Sequence, residues 1–331
     1  MIKNEREFVR WLKQVVPKPR GRLKLGIGDD AAIMAVSHGR DLILTTDLTI
    51  ENVHFTHALH SARSVGHRAL ARSLSDVAAM GGEPRVALVS IALSERTTGA
   101  WIKGFYSGFL ALAERHGVAA IGGDTSVVRG TILIDVIAGG EVSKGRELRR
   151  SGARPGDSIF VSGSLGLSSL GLTLLKSQIC RGRKSAGEMT AIRAHLYPEP
   201  RCALGRFLCQ ERIASAAIDI SDGLSTDLQR LCEASGTGAR IWENSIPVPR
   251  WPSPGRISPT EMLSFALHGG EDYQLLFTVP QAKLPRLPRR FRGVELHRIG
   301  EVTKPRKLYL IRETGKEEIL SPAGWDHFRK S

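Results

Sequence analysis

Carboxylates in this chain recur at one kind of place: directly after an apolar, strand-like run, beside a glycine or a hydroxyl residue. The segments are Gly26-Ile27-Gly28-Asp29-Asp30, Leu42-Ile43-Leu44-Thr45-Thr46-Asp47, Ile121-Gly122-Gly123-Asp124-Thr125, Ile218-Asp219-Ile220-Ser221-Asp222-Gly223 and Gly269-Gly270-Glu271-Asp272. A strand terminus sets its last side chains at the rim of a sheet, where α/β proteins bind ligands. The pattern therefore predicts a sheet-based fold with a polar rim. It stands out because the chain is otherwise basic, with 47 Lys+Arg against 33 Asp+Glu and a net charge of +14.

The runs between these segments alternate between strand and helix periods. Asn4–Val16 reads as an amphipathic helix with a capping box from Asn4 to Glu7, ended by Pro17 and Pro19. Strands follow near Ala31–Val36 and Leu42–Thr46, then a helix over Ser61–Met80 with Val65, Ala69, Leu70, Leu74 and Val77 on one face. Gly81-Gly82 stops it, and Arg85–Leu93 (strand), Thr97–His116 (helix), Val118–Ile121 and Thr131–Ala138 (strands) complete the first half. The basic, Gly/Pro-punctuated stretch Lys144–Asp157 marks a boundary, giving expected domains at 1–147 and 148–331. Beyond it come a strand at Ile159–Ser162, a helix at Leu167–Lys176, a polar loop at Gln178–Glu188 and a helix from about Arg201. A strand at Ala214–Ile220, a helix at Leu224–Ser235 and strands at Tyr273–Val279, Leu296–Val302 and Lys307–Ile311 end the series. Two α/β or α+β domains follow from this order.

Several functions are excluded or left without support. No run approaches the ~20 apolar residues of a membrane span, and Met1–Glu7 has no apolar core of a signal peptide. A cytoplasmic protein without membrane attachment is expected. Cys180, Cys202, Cys209 and Cys232 form no C-x-x-C pair, which argues against zinc and redox motifs and for small buried hydrophobes. Positive charge favours polyanions, from nucleic acid to phosphorylated small molecules, but is equally the mark of a solvated basic surface. No nucleic-acid-binding motif accompanies it, and no specific nucleic-acid partner is expected.

Acids crowded at a sheet rim repel one another unless a hard cation neutralises them. Oxygen donors without His or Cys spacing favour magnesium, whose usual co-ligand is phosphate. Asp76, inside the apolar-faced helix Ser61–Met80, extends the set. The plainer reading makes each Asp an N-cap or turn former. The chain carries neither a G-x-x-x-x-G-K-[ST] loop nor protein-kinase signatures. A phosphate site here must use metal ions, an Arg such as Arg150, and backbone N–H groups in Gly122-Gly123 or Gly163–Gly166.

Eight segments in order give a more specific indication: GIGDDAA (26–32), TTDLTIENVHF (45–55), LSDVAAMGGEP (74–84), IGGDT (121–125), RSGARPGD (150–157), AIDISDGL (217–224), HGGEDYQLLF (268–277) and GWDHF (324–328). Together they resemble the thiamine-monophosphate kinase family, in the ATP-binding superfamily of aminoimidazole ribonucleotide synthetase and selenophosphate synthetase. The resemblance implies a two-domain fold, α/β and α+β, with the N-terminal sheets pairing across a homodimer. It implies transfer of the γ-phosphoryl of ATP to thiamine monophosphate, with several Mg2+ ions and K+ admitted as an auxiliary. Carried over by position, Asp30, Thr45, Thr46, Asp47, Asp76, Asp124, Asp219 and Asp222 match magnesium ligands. Gly123, Asp124, Arg150 and Ser221 match nucleotide contacts, and His54, Glu271 and Trp325 match substrate positions. Arg129 arrives slightly later after IGGDT than the family's Arg. On the residues alone, Trp325 is equally a packing residue and His54 equally structural.

Two rivals remain at this level. One is another superfamily ATPase, of aminoimidazole ribonucleotide synthetase or hydrogenase-maturation type, against which HGGEDYQLLF and GWDHF argue. The other is a basic nucleic-acid-binding protein on the same scaffold, which would have lost acids that this chain keeps.

Overall fold

The computed structural model describes residues 11, 14–16, 18, 21–25, 33–177, 185–249 and 257–325. Asp29, Asp30 and the rest of 26–32, most of the expected helix Asn4–Val16, and Cys180 lie outside the described residues. The chain divides into two compact units, residues 1–77 with 82–145, and residues 78–81 with 146–331.

In the first unit, β1 (Leu23–Leu25) pairs with β2 (Ile33–Met34) ahead of the long strand β3 (Arg40–Ile50). Helix α1 (Ala62–Ala79) buries Val65, Ala69, Leu70, Leu74 and Val77, the stripe expected from the 3.6-residue period. Strand β4 (Glu83–Ser94), helix α2 (Gly99–His116) and strand β5 (Ala119–Val128) form a β-α-β unit, so β4 and β5 run parallel. Thr98 caps α2 by accepting the Trp101 N–H, and Gly117 ends it in a left-handed conformation. Strand β6 (Leu133–Ser143) returns antiparallel between β3 and β4, giving the order β3-β6-β4-β5. β5 and β6 run well past the apolar stretches that signalled them, because ladder pairing continues through their polar residues.

The second unit is built on an eight-stranded sheet. Its elements are β7 (Ser158–Ser162), α3 (Leu167–Lys176), α4 (Ala186–Leu196), α5 (Cys202–Gln210), β8 (Ala216–Ile220), α6 (Leu224–Ser235), β9 (Gly238–Trp242), α7 (Pro259–His268), β10 (Gln274–Val279), β11 (Arg290–Phe291), β12 (Val294–Thr303), β13 (Leu308–Ile311) and β14 (Glu317–Ile319). The order is β14-β13-β9-β12-β7-β10-β8, with β11 beside β12. Every residue of β7, β8 and β10 is buried, so these strands lack the alternation of buried and solvent-facing positions that a half-exposed strand shows. Ile159, Val161, Ile218, Ile220, Leu228, Leu276 and Ile299 form the core against α6 and α7.

The expected polar loop Gln178–Glu188 needs correction at its end. Ser185 and Glu188 make a reciprocal capping box that starts α4. A second box, Ser258 with Glu261, starts α7, which the sequence reading also passed over. Both helices have only three or four buried residues, too few for a clear stripe. Cys202, Cys209 and Cys232 are buried free thiols, as expected.

Candidate active site

The first unit brings its acids together on two faces of one sheet. On the face covered by α1, the Thr45 hydroxyl donates to Asp76, and Arg72 Nε lies 3.9 Å from Asp47 Oδ1. Ser73 Oγ in the same helix donates to the Val136 carbonyl of β6, fixing α1 over this spot. Asp47 is pushed up to about 6, first by burial and then by the charge of Asp76, with Arg72 opposing. Its Oδ2 is buried and finds no hydrogen-bond partner among the described residues. On the opposite face, Thr46 Oγ1 donates to Asp135 Oδ1 at 2.6 Å. Asp135 lies across from Ser90, and Ser90 across from Asp124, so Asp124 shares that outer face. Asp135 carried no sequence signal, since it sits mid-strand with no glycine beside it.

Gly123 must be glycine. A Cβ there would sit 1.9 Å from the Val89 carbonyl oxygen across the parallel β4–β5 pair. Asp124, next to it, is exposed and accepts the Thr125 N–H at 2.8 Å. His54 folds back on its own turn: Nδ1 accepts the Ile50 N–H at 3.0 Å, which puts the proton of the neutral ring on Nε2. Arg129 is almost fully exposed, 3.7 Å from Glu95.

The second unit gathers a different set at the turn after β8. Glu271 donates its backbone N–H to the Ser221 carbonyl at 2.8 Å, and Trp325 donates its own to the Asp222 carbonyl at 3.0 Å. Ser221, Asp222, Glu271 and Trp325 are thus neighbours, although 104 residues separate Ser221 from Trp325 (325 − 221). Gly324 permits this approach, because a Cβ would lie 2.0 Å from the Asp222 carbonyl oxygen. Trp325 is 52% exposed, so it is not a core residue. Glu271 and Tyr273 both have positive φ, 67° and 48°, a strained backbone of the kind found around ligand sites. Asp219 is buried within β8, opposite Leu275. Arg150 is not at this turn: its carbonyl accepts from Ser235, at the far end of α6 from Asp222.

Of two internal carboxylates, Asp227 was missed by sequence reasoning, and Asp272, grouped there with the rim acids, is instead buried against backbone N–H groups. Asp227 Oδ2 accepts the N–H groups of Ser221, Asp222 and Gly223 at 3.0–3.1 Å. Asp272 accepts those of Gly166 at 2.5 Å and Ser168 at 3.0 Å. The second finding corrects the reading of Gly163–Gly166 as a phosphate loop. The N–H groups of Gly163, Leu165 and Gly166 go to Glu295, Pro247 and Asp272, so no converging donor set is left for a phosphate.

The donor chemistry of the carried-over residues, all carboxylate and hydroxyl, suits a hard divalent cation, and the orphaned Asp47 Oδ2 is what such an ion would satisfy. Among the described residues no three His, Cys, Asp or Glu side chains already surround a metal-sized position. Activated nucleophiles are also missing among the described residues. Burial pushes the Cys202 and Cys232 thiols up to about 12. Ser168 and Ser225 touch His195 and His268 at 3.0 and 2.9 Å, yet both serines are buried. No helix among the described residues is long and apolar enough to cross a membrane.

Comparison with known proteins matches residues 28–142 to the AIR synthase related protein N-terminal domain and 154–313 to its C-terminal domain. Thiamine-monophosphate kinase of Bacillus subtilis (strain 168) is 35% identical over 316 residues, covering 92% of this chain and 94% of the relative. That of Escherichia coli (strain K12) is 36% identical over 309 residues, 92% of each chain. Among solved structures, thiamine-monophosphate kinase from Stenotrophomonas maltophilia K279a superposes with a TM-score of 0.81 at 31% identity, over 94% of this chain and 96% of that one. AaThiL complexed with AMPPCP and TMP gives 0.77 at 33%, over 98% and 97%. E. coli HypE, a hydrogenase maturation protein, gives 0.74 at 19% over 98% of each chain, a likeness of fold alone.

Proposed function

We propose, for a chain that belongs to the thiamine-monophosphate kinase family of AIR synthase related proteins, the ATP-dependent phosphorylation of thiamine monophosphate to thiamine diphosphate. The observation that carries this reading is the match to thiamine-monophosphate kinases along more than nine-tenths of both partners. The hydrogenase-maturation alternative shares the fold but at far lower identity.

The roles of the residues are those their motifs imply, and the surroundings of several support them. Donor and acceptor are both phosphates and both anionic, so charge repulsion is the main obstacle. Asp47 with Thr45 and Asp76, Thr46, Asp124, and Asp219 with Asp222 are the groups that would hold magnesium, and Asp30 joins them by its motif. Magnesium bound there would screen the phosphates and stabilise the charge of the transferring group. Asp47 already pays for burial without a partner on Oδ2, which is a group prepared for a cation. Gly123 and Asp124, Ser221 and Arg150 serve ATP. His54, Glu271 and Trp325 serve thiamine monophosphate, with the exposed Trp325 indole offering a π face to the cationic thiazolium. Because the acceptor phosphate oxygen is ionised near neutral pH, the chain needs no strong general base.

Leu42, Leu44 and Leu48 of β3 and Leu133 of β6 are exposed on one sheet face, Leu44 to 65%. This leucine strip, beside Thr46 and Asp135 on the same face, supports a homodimer closed through it. The cytoplasm is the compartment that supplies ATP, and K+ there is available as an auxiliary cation.

The test is a coupled ADP-release assay offering thiamine monophosphate, thiamine and aminoimidazole precursors in parallel. Turnover with thiamine monophosphate alone is expected. Turnover with an aminoimidazole precursor instead, or salt-sensitive nucleic-acid binding without any ATP turnover, would overturn the reading.

A further inference from the structure

The turn Ser221-Asp222-Gly223 has the shape of an anion site that is already filled. Three successive N–H groups converge ahead of helix α6, the geometry by which proteins grip phosphate. Here they converge on Asp227 Oδ2 instead, at 3.0–3.1 Å. The other oxygen of Asp227 accepts from Arg230 Nη1 at 2.9 Å. The same Nη1 donates to Asp222 Oδ2 at 2.5 Å. Asp227 is completely buried, while the Asp222 and Arg230 side chains stay 24% and 40% exposed. One carboxylate is therefore locked inside, and the other stands at the surface with one oxygen held.

Two carboxylates this close repel each other, and a single guanidinium between them removes that repulsion. It also restricts the rotation of Asp222 about its side-chain bonds, which a free surface aspartate would retain. We propose that Arg230 is a positioning residue for Asp222: anchored on Asp227, it holds Asp222 Oδ2 and leaves Oδ1 for an incoming divalent cation. This rests on the reading of Asp222 as a magnesium ligand. Arg230 touches neither substrate nor reacting atoms in this scheme. It acts as the outer partners of metal-ligating carboxylates do, whose loss typically costs about 10–100-fold in metal affinity. A purely structural role is the competing account, in which Arg230 makes an ordinary i,i+3 helix pair with Asp227.

The two accounts separate on metal binding by the folded protein. Mn2+ is titrated into the full chain and free ion counted by electron paramagnetic resonance, with melting temperature measured on the same samples. Arg230→Met is expected to weaken Mn2+ binding about tenfold or more while the melting temperature moves only a few degrees. Arg230→Gln, which keeps a neutral donor should the Met variant fold poorly, is expected to weaken it as well. Arg230→Lys is expected to recover part of the loss, since an ammonium restores the charge and has donors for both carboxylates but not the planar, rigid geometry of the guanidinium. Asp222→Asn runs alongside. If Asp222→Asn weakens Mn2+ binding and both neutral Arg230 variants bind it as tightly as the parent, or more tightly, Arg230 does not position Asp222 and the proposal falls alone. If Asp222→Asn leaves Mn2+ binding unchanged, the assignment of Asp222 as a ligand falls and takes the proposal with it.

Discussion

The buried carboxylate of Asp272 accepts the backbone N–H of Ser168 at 3.0 Å, so helix α3 is capped by a side chain 104 residues away. Gly166, the residue at the cap position, has no side chain to do this. Asp272 is flanked by Glu271 and Tyr273, the two strained residues of that loop. Its bonds to α3 therefore hold in register the backbone that carries the proposed substrate contact.

This linkage predicts a pH dependence. Burial is the first cause that raises Asp272, to about 7, with the neighbouring charge of Glu271 adding to it and the two backbone bonds opposing. The folded state thus binds the proton more tightly than the unfolded chain, whose Asp titrates near 3.9. The contribution is full below about pH 4 and is lost as pH rises through about 7. Metal-free protein should melt at a higher temperature at pH 5 than at pH 8 on account of this group, and Asp272→Asn should flatten that part of the profile. Thermal melts of both proteins from pH 4.5 to 8 check it; identical slopes in the two would remove Asp272 as the source.

In the first unit Glu141 does comparable work. Its side chain is fully buried and takes Arg22 at 2.7 Å, the Ser37 N–H at 2.9 Å and the Ser37 hydroxyl at 2.6 Å. These partners lie on either side of the β1–β2 pair, so one carboxylate of β6 ties down both stems that flank residues 26–32. Glu141→Ala should cost about 2–3 kcal/mol, the range for hydrogen bonds to a charged group. It should also speed protease cleavage beside Arg22 and Ser37. Unchanged cleavage there, with stability lost elsewhere, would contradict the anchoring role.

How much of this was legible beforehand depends on whether the signal was local. The apolar stripe of α1 and the stops at Gly81 and Gly117 are local, and they were readable. The meeting of Ser221, Asp222, Glu271 and Trp325 was suggested only by motifs in order, since nothing in spacing links residues a hundred positions apart. Asp227 and Asp272 were opaque for another reason. Asp227, inside a helix, passes as an ordinary helix acid, Asp272 was grouped with the rim acids, and only the folded chain reveals which N–H groups they take. The division of Thr45 and Asp47 from Thr46 and Asp124 between two sheet faces follows from strand period. The recurring acid pattern hid it by suggesting one cluster.

Asp47→Asn should nearly abolish turnover while leaving the melting temperature of the metal-free protein unchanged or slightly raised. The amide keeps the shape of the side chain, and it relieves a buried charge that Asp76 already disfavours. What it removes is the negative charge that would hold magnesium. Near wild-type ADP release at low millimolar magnesium would show that Asp47 is not a ligand.

Trp325→Ala should weaken thiamine monophosphate more than ATP, by an amount corresponding to about 1–2 kcal/mol for a desolvated cation–π contact. Its backbone bond to Asp222 survives the substitution, so the turn itself should persist. Separate KM values for the two substrates check this, and equal losses for both would assign the indole to packing.

Transfer should be direct, with ATP and thiamine monophosphate bound at once. A phosphoenzyme needs an accessible nucleophile with a base beside it. The two Ser–His contacts among the described residues involve Ser168 and Ser225, both buried, and the Cys202 and Cys232 thiols are held protonated by burial. The aspartates carried over by motif are those assigned to magnesium, and an aspartate neutralised by a cation is a poor nucleophile. Direct transfer gives intersecting initial-rate lines when both substrates are varied, and no exchange of label between ADP and ATP without thiamine monophosphate. Parallel lines together with rapid exchange, or 32P retained on the denatured chain after incubation with γ-labelled ATP, would point to a covalent intermediate. In that event Asp222→Asn should abolish labelling if Asp222 is the acceptor, whereas under direct transfer it slows the single-turnover step with no label ever found on the protein.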